Sequence, residues 1–267
     1  MFTNDLEPSY LRLALSGELA VRVERARSAL QACRLCGHRC LVDRRRDASG
    51  QCLSRERAVV HGYGPQHGEE FCLRGEHGSG TVFFSRCNLA CVFCRSHEIS
   101  GRGDGEELDA EGLAGVFLRL QEWECHNLNL VTPTHQVPAI LDALALAAAR
   151  GLRLPLVWNT GCYETSEAMA LLDGIVDVYM PDLKYGDSDT ALRLSGIPGY
   201  WETATAAIRE MHRQVGDLIF DREGLARRGL LVRHLVLPGG LAGTERVVRF
   251  LAREVSPGTA LNLMDRY

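Results

Sequence analysis

The sequence predicts an α/β chain: a partial (β/α)6 barrel of the TIM type, preceded by a small N-terminal helix-plus-loop module built to bind metal. Three observations carry this reading. From Thr81 onward, six short apolar runs alternate with amphipathic stretches, the pattern of βα units on a parallel sheet. The preceding stretch, Cys33 to Gly80, has almost no apolar periodicity and cannot easily build a core of its own. Seven of the ten cysteines fall into two clusters, one inside that stretch and one just past the first barrel strand.

Tyr10 to Ala32 reads as a helix, with apolar residues at Leu11, Leu15, Leu19 and Val23. The glycine-broken stretch after it lacks internal stabilisation, which a cross-linking metal would supply. The strands are "TVFF" (81–84), "LNLVTP", "LPLVWNT", "IVDVYMPDLK", "LLVRHLVLPG" and "TALNLMDRY". Helices are expected at Asp109–Glu122, Val137–Arg150, Ser166–Leu172, Thr203–Val215 and Thr244–Glu254. The predicted division is residues 1–78 for the cysteine-rich module and 79–267 for the barrel. In such barrels the chemistry collects at the C-terminal ends of the strands. The triplet Cys87, Cys91 and Cys94 follows the first strand there.

A net charge of −4 and a pI near 6.1 argue against a nucleic-acid surface, which is usually basic. No apolar run approaches the roughly 18 residues of a membrane span. The start, "MFTNDLEPSY", lacks a secretory profile, so a cytoplasmic location is expected. Clustered cysteines in a reducing compartment point to metal or to chemistry and not to disulfides. Cys72, Cys125 and Cys162 stand alone. Lys184 is the single lysine in an arginine-rich chain, a skew that fits a GC-rich coding genome.

"SRCNLACVFCRSH" (85–97) offers three thiolates, one short of a closed tetrahedral site. A four-iron cluster takes four ligands, so three cysteines leave one iron open to a non-protein ligand. Cys87-x3-Cys91-x-Phe93-Cys94 resembles the signature of the radical S-adenosylmethionine (SAM) superfamily. The resemblance implies a 4Fe-4S cluster held by Cys87, Cys91 and Cys94, with SAM chelating the open iron. It implies reductive cleavage of SAM to a 5′-deoxyadenosyl radical that abstracts a substrate hydrogen, with Phe93 near the adenine. The same resemblance implies an electron donor such as flavodoxin or ferredoxin.

Further blocks, "HGEE" (67–70), "VTPTH" (131–135), "MPDLKY" (180–185), "EMHRQVG" (210–216) and "VRHLVLPGG" (232–240), look like the subgroup related to pyruvate formate-lyase activating enzyme. On that resemblance Asp182 and Lys184 contact SAM, the ammonium neutralising its carboxylate; the alternative is a solvated loop lysine. Asn159 and Thr160 fall among polar SAM contacts. Thr132, Thr134 and His135 fall where many relatives carry a Gly-Gly-Glu run, absent here; the alternative is a loop held by Pro133 and hydroxyl–backbone bonds. Arg95-Ser96 replaces the usual Gln-Asn after the last cysteine. Cys162 is expected on the rim of the barrel mouth, as a buried structural thiol or a reactive group. Relatives commonly run on past the last strand, so the mouth is expected to lack one covering segment.

Cys33, Cys36, Cys40 and Cys52 are spaced C-x2-C-x3-C-x11-C. Four thiolates close either a second iron–sulfur cluster or a zinc site. Cys72 is a spare ligand or a plain buried thiol, and His38 and His61 are read as structural. His67, Glu69 and Glu70 precede the first barrel strand; the carboxylates either grip substrate or form a solvated turn. Arg233 and His234 are adjacent on a strand and face opposite sides, with Arg233 expected inward as an anion anchor. Two activities compete. One is hydrogen abstraction from a small-molecule substrate, with sulfur insertion from the auxiliary cluster. The other is installation of a glycyl radical on a partner protein, which does not require the extra cysteines.

Overall fold

A computed structural model describes residues 6–46 and 50–265. The expected N-terminal helix is two: α1 (Ser9–Ser16) and α2 (Glu18–Ala29), the latter running into a 3-10 turn at Leu30–Ala32. Gly17, at φ +80°, adopts the left-handed conformation that ends α1 and reverses the chain. Their apolar faces pack on the barrel helices. Tyr10 donates its hydroxyl to the Leu154 carbonyl at 3.0 Å. Ser9 donates through N–H and hydroxyl to Asp177 at 2.8 and 2.7 Å.

The stretch read as loop contains two further elements, strand β1 (Ala58–Gln66) and a single turn α3 (Phe71–Arg74). β2 (Ser79–Phe84) is the first barrel strand, followed by the cysteine loop and a short edge strand, β3 (Glu106–Leu108). Then come α4 (Ala110–Glu122), β4 (Leu128–Val131), α5 (Val137–Ala149), β5 (Leu156–Thr160), α6 (Ser166–Leu172) and β6 (Val178–Pro181). α7 (Ser188–Ser195), which periodicity did not show, precedes α8 (Tyr200–Val215). β7 (Ile219–Phe220), β8 (Ala226–Leu235), α9 (Thr244–Phe250), a π-helical turn at Leu251–Val255 and β9 (Ala260–Met264) complete the described chain. Arg266 and Tyr267, included in the sixth predicted strand, lie outside the described residues.

The six predicted strands pair in parallel and in chain order: β2–β4–β5–β6–β8–β9. This is the partial (β/α)6 barrel. Its central strands are short and buried on both faces, as a helix-covered parallel sheet requires. Asp109, Thr165 and Asp187 cap α4, α6 and α7, each accepting an N–H of the first turn. On the open edge β1 pairs antiparallel with β2, and β3 with β1. The expected boundary at 78/79 falls between β1 and β2, so the main sheet continues across it.

Because β1 is antiparallel, the chain leaving it emerges at the N-terminal end of β2, where Gln66 pairs with Ser79. That end is opposite the cysteine loop. The described residues contain no helix long and apolar enough to cross a membrane.

Candidate active site

Arg86 leaves β2 at φ +68°, so the chain turns sharply just before Cys87. The Leu89 N–H donates to the Cys87 sulfur at 3.3 Å. The Ser195 hydroxyl donates to the Cys91 sulfur at 2.9 Å and also bonds the Tyr185 hydroxyl at 2.6 Å. Cys94 Sγ lies 3.4 Å from Ser100 Oγ. Each sulfur thus has a polar hydrogen within reach, the outer support that metal-bound thiolates use.

All three cysteines and Phe93 line one cavity of about 330 Å3, within the size range of small-ligand pockets. Its other walls are the C-terminal strand ends, with Phe84 of β2, Thr132 after β4, Asn159 of β5, Asp182 after β6, Arg233 of β8 and Met264 of β9. Thr132 is held at φ +58°, unusual for a non-glycine residue, and its N–H donates to Asn159 O at 2.9 Å. Phe93 packs edge-on to Tyr185 at 6.1 Å.

The floor is a chain of charges. Lys184 Nζ donates to Asp182 Oδ2 at 2.8 Å, and Arg233 Nε to Asp182 Oδ1 at 2.8 Å. Burial alone would raise the Asp182 carboxyl, but Arg233 and Lys184 outweigh it and pull it down to about 2. Burial works against the Lys184 ammonium, yet Asp182 and Cys91 hold it above its ordinary range. Both groups are therefore charged at neutral pH. Burial pushes the metal-free Cys87 thiol up to about 12, with Lys184 acting in the other direction.

Several expected site residues sit elsewhere. Arg233 does face inward, but its donors are committed to Asp182, to Asn159 Oδ1 at 2.9 Å and to Glu69 Oε1 at 3.3 Å. It braces the wall and is not a free anion anchor. Glu69 reaches Arg233 from the opposite end of the barrel and accepts from Asn129, while Glu70 accepts from Asn262. Neither carboxylate lines the cavity, because the antiparallel β1 delivers both to the far end.

Thr134 and His135 also lie behind the wall. His135 is buried, bonds Ser85 O at 3.0 Å and is held neutral, its pKa depressed by burial to about 3. Thr134 and Thr160 converge on the buried Glu164, which also accepts from the Trp158 indole at 3.1 Å. Cys162 is not on the rim. It is fully buried with its sulfur toward Ala204 O at 3.5 Å, and burial raises its thiol well above the usual range. Cys72 packs with Leu73, Val157 and Met180, on a different patch from the N-terminal cysteines.

Cys33, Cys36, Cys40 and Cys52 line a separate, small cavity of about 10 Å3. Gly37 permits this placement: a Cβ there would stand 2.3 Å from the Tyr163 ring, against which the loop packs. His38 bonds Asn88 O at 2.8 Å and meets Tyr163 edge-on, while His61 bonds Asp104 O at 3.2 Å. All ten cysteines are free thiols. Among the described residues, no group of three or more His, Cys, Asp or Glu side chains is arranged to hold a single metal ion.

Sequence reading did not anticipate Ser195, Ser100, Glu164 or Met264. Serines and an apolar strand end carry no local signal. Only the fold of α7 and β9 against the cysteine loop gives Ser195 and Met264 a role.

The sequence profile of the radical SAM superfamily matches residues 81–221, from β2 past the end of β7. The chain belongs to the radical SAM superfamily. An uncharacterized protein of Methanocaldococcus jannaschii is 31% identical over 278 residues, covering 99% of this chain and 72% of that protein. Among solved structures, native anSMEcpe with bound AdoMet is similar over 67% of this chain at a TM-score of 0.45 and 12% identity. The cobalamin-dependent S-adenosylmethionine radical enzyme OxsB, with aqua-cobalamin and S-adenosylmethionine bound, is similar over 71% at a TM-score of 0.45 and 15% identity. This chain spans 49% of anSMEcpe and 28% of OxsB. Membership makes it a radical SAM enzyme and implies SAM and a 4Fe-4S cluster.

Proposed function

We propose that this radical SAM enzyme abstracts a hydrogen atom from a small-molecule substrate in the cavity above Lys184. One observation carries the reading. The three cysteines, Phe93 and the Lys184–Asp182 pair share a single cavity of about 330 Å3 at the C-terminal strand ends. Cys87, Cys91 and Cys94 would hold the cluster through three irons. When bound, the cluster and SAM together supply a 5′-deoxyadenosyl radical by one-electron cleavage of the sulfonium.

The chain's own residues bind and orient. Asp182 accepts from both Lys184 and Arg233, so the ammonium is fixed in direction and keeps donors for the SAM carboxylate. Asn159, Thr160 and Thr132 present polar groups beside it. Phe84, Phe93 and Met264 close the apolar sides and limit water, which protects a reactive radical. Arg95 and Ser96 border the same cavity from the exposed end of the loop and are its candidates for substrate selection.

Cys33, Cys36, Cys40 and Cys52 would hold a second iron–sulfur cluster or a zinc ion. None of the four lines the substrate cavity, so sulfur insertion from that site is the weaker form of the proposal; a structural or electron-relay role accords better with two separate cavities.

Reconstituted enzyme, SAM and reductant are to be incubated with the small-molecule and macromolecular fractions of a deuterated cell extract. Deuterium entering 5′-deoxyadenosine from the small-molecule fraction supports the proposal. Transfer only from the macromolecular fraction, with a glycyl radical in the EPR spectrum, would replace it with partner-protein activation.

A further inference from the structure

The cavity floor is the near end of a row of four charges that runs through the barrel. From the far end they are Glu69, Arg233, Asp182 and Lys184, alternating in sign. Glu69 Oε1 meets Arg233 Nη1 at 3.3 Å and accepts the Glu70 N–H at 3.1 Å. Its Oε2 accepts from the buried Asn129 amide at 3.0 Å, and that amide also donates to Ser79 Oγ at 3.2 Å. The Glu69 and Arg233 side chains are largely withdrawn from water, 13% and 16% exposed. On the cavity side, the one carboxylate of Asp182 is shared between Arg233 and Lys184. One carboxylate cannot balance two cations, and a surplus charge held away from water is poorly screened and costly. Glu69 supplies the second anion from outside the cavity.

We infer that Glu69 is a positioning residue for the SAM site: by neutralising Arg233 it keeps Asp182 shared with Lys184, so that the wall beside Lys184 accepts a sulfonium. The inference rests on the reading that the SAM carboxylate meets Lys184 in this cavity. Carboxylate and sulfonium belong to one short chain of SAM, so the groups that attract the first lie near the second. An unbalanced Arg233 would help to hold the carboxylate but would repel the sulfonium. It would also draw Asp182 away from Lys184. With Glu69 in place the row of charges cancels, and the sulfonium meets no second free cation. Arg233 Nη2 donates to Asn159 Oδ1 at 2.9 Å, so the same pairing fixes another residue of the cavity wall.

The test compares SAM with S-adenosylhomocysteine, which has the same carboxylate, amine and nucleoside but a neutral thioether in place of the sulfonium. Dissociation constants for both are measured by equilibrium dialysis on one anaerobically reconstituted preparation of the full chain. Any loss of folded protein then cancels from their ratio. Glu69→Gln, which keeps the shape and an acceptor but no charge, should shift that ratio against SAM by at least about threefold. Glu69→Asp, which keeps the charge, should hold the ratio within about twofold of the wild type even where both ligands bind more weakly. Iron content should be equal in all three proteins; a shift that tracks iron loss would place its cause in the cluster loop and overturn the inference. An unchanged ratio in Glu69→Gln, or an equal shift in Glu69→Asp, would show Glu69 to be only a clamp between the β1–β2 connection and the barrel. No SAM binding by the reconstituted wild type would remove the SAM site from this cavity, and the inference with it.

Discussion

His38 and Asn88 join the two cysteine loops directly: the imidazole Nε2 donates to the Asn88 carbonyl oxygen at 2.8 Å. His38 lies between Cys36 and Cys40, and Asn88 is the residue after Cys87. A contact that spans fifty residues of chain therefore ties the N-terminal site to the cluster loop, with the Tyr163 ring packed edge-on against the same imidazole. A hydrogen bond of this kind contributes about 1 kcal/mol. His38→Ala should lower unfolding free energy by about that amount in denaturant titration. It should also reduce 5′-deoxyadenosine formation several-fold, since the Cys87 backbone loses a brace. Unchanged stability and turnover would make the contact incidental.

Lys184 is the cation assigned to SAM. Lys184→Met should weaken SAM binding by about 10–100-fold, the range for a charge-assisted hydrogen bond, while leaving iron content unchanged. Equilibrium dialysis with labelled SAM on reconstituted protein reads the first quantity and a chelator assay the second. Loss of iron in parallel would point to a structural role for Lys184.

Ser195 donates to Cys91 at 2.9 Å and should stabilise the more negative, reduced state of a cluster bound there. Ser195→Ala should lower the cluster's reduction potential by roughly 40 mV, the equivalent of about 1 kcal/mol for one electron. EPR-monitored redox titration of the reconstituted protein measures it. An unchanged potential would mean that the hydroxyl serves only Tyr185.

Asp177 anchors α1 to β5 by accepting from Ser9 and from the Leu156 N–H at 2.8 Å. Burial nevertheless raises its carboxyl to about 6, outweighing those three donors. A raised carboxyl stabilises the fold most below the unfolded value near 4 and progressively less as pH rises to about 6. Relative to Asp177→Asn, the wild type should therefore lose about 3 kcal/mol of stability between pH 4 and pH 6 and stay level above that. Chemical denaturation of both proteins across that range tests the sign; a gain on raising the pH would contradict it.

Much of the fold was legible because its signals are local. Six apolar runs on alternating βα spacing marked β2, β4, β5, β6, β8 and β9, and the helical stretch Asp109–Glu122 marked α4. The missed elements depend on distant pairing. β1 lies in a glycine-rich stretch whose alternation is weak, and only hydrogen bonds to β2 make it a strand. Gly17 sits inside a periodic apolar pattern that gave no reason to break the helix there. The cysteine triplet was legible through its resemblance to the radical SAM signature, Phe93 and the place after the first barrel strand included, and Asp182, Lys184, Asn159 and Thr132 were legible as strand ends. Glu69 and Glu70 were misplaced because closeness in sequence to a strand's start is closeness to its far end.

Every role proposed for the cavity depends on Cys87, Cys91 and Cys94 holding the cluster at which SAM is cleaved. The decisive quantity is 5′-deoxyadenosine release after anaerobic reconstitution with iron and sulfide, in the presence of SAM and a strong reductant. The wild type should form 5′-deoxyadenosine. Cys91→Ala should form none while retaining whatever metal the N-terminal cysteines bind. Undiminished 5′-deoxyadenosine from Cys91→Ala would overturn the assignment of the cluster to these three cysteines.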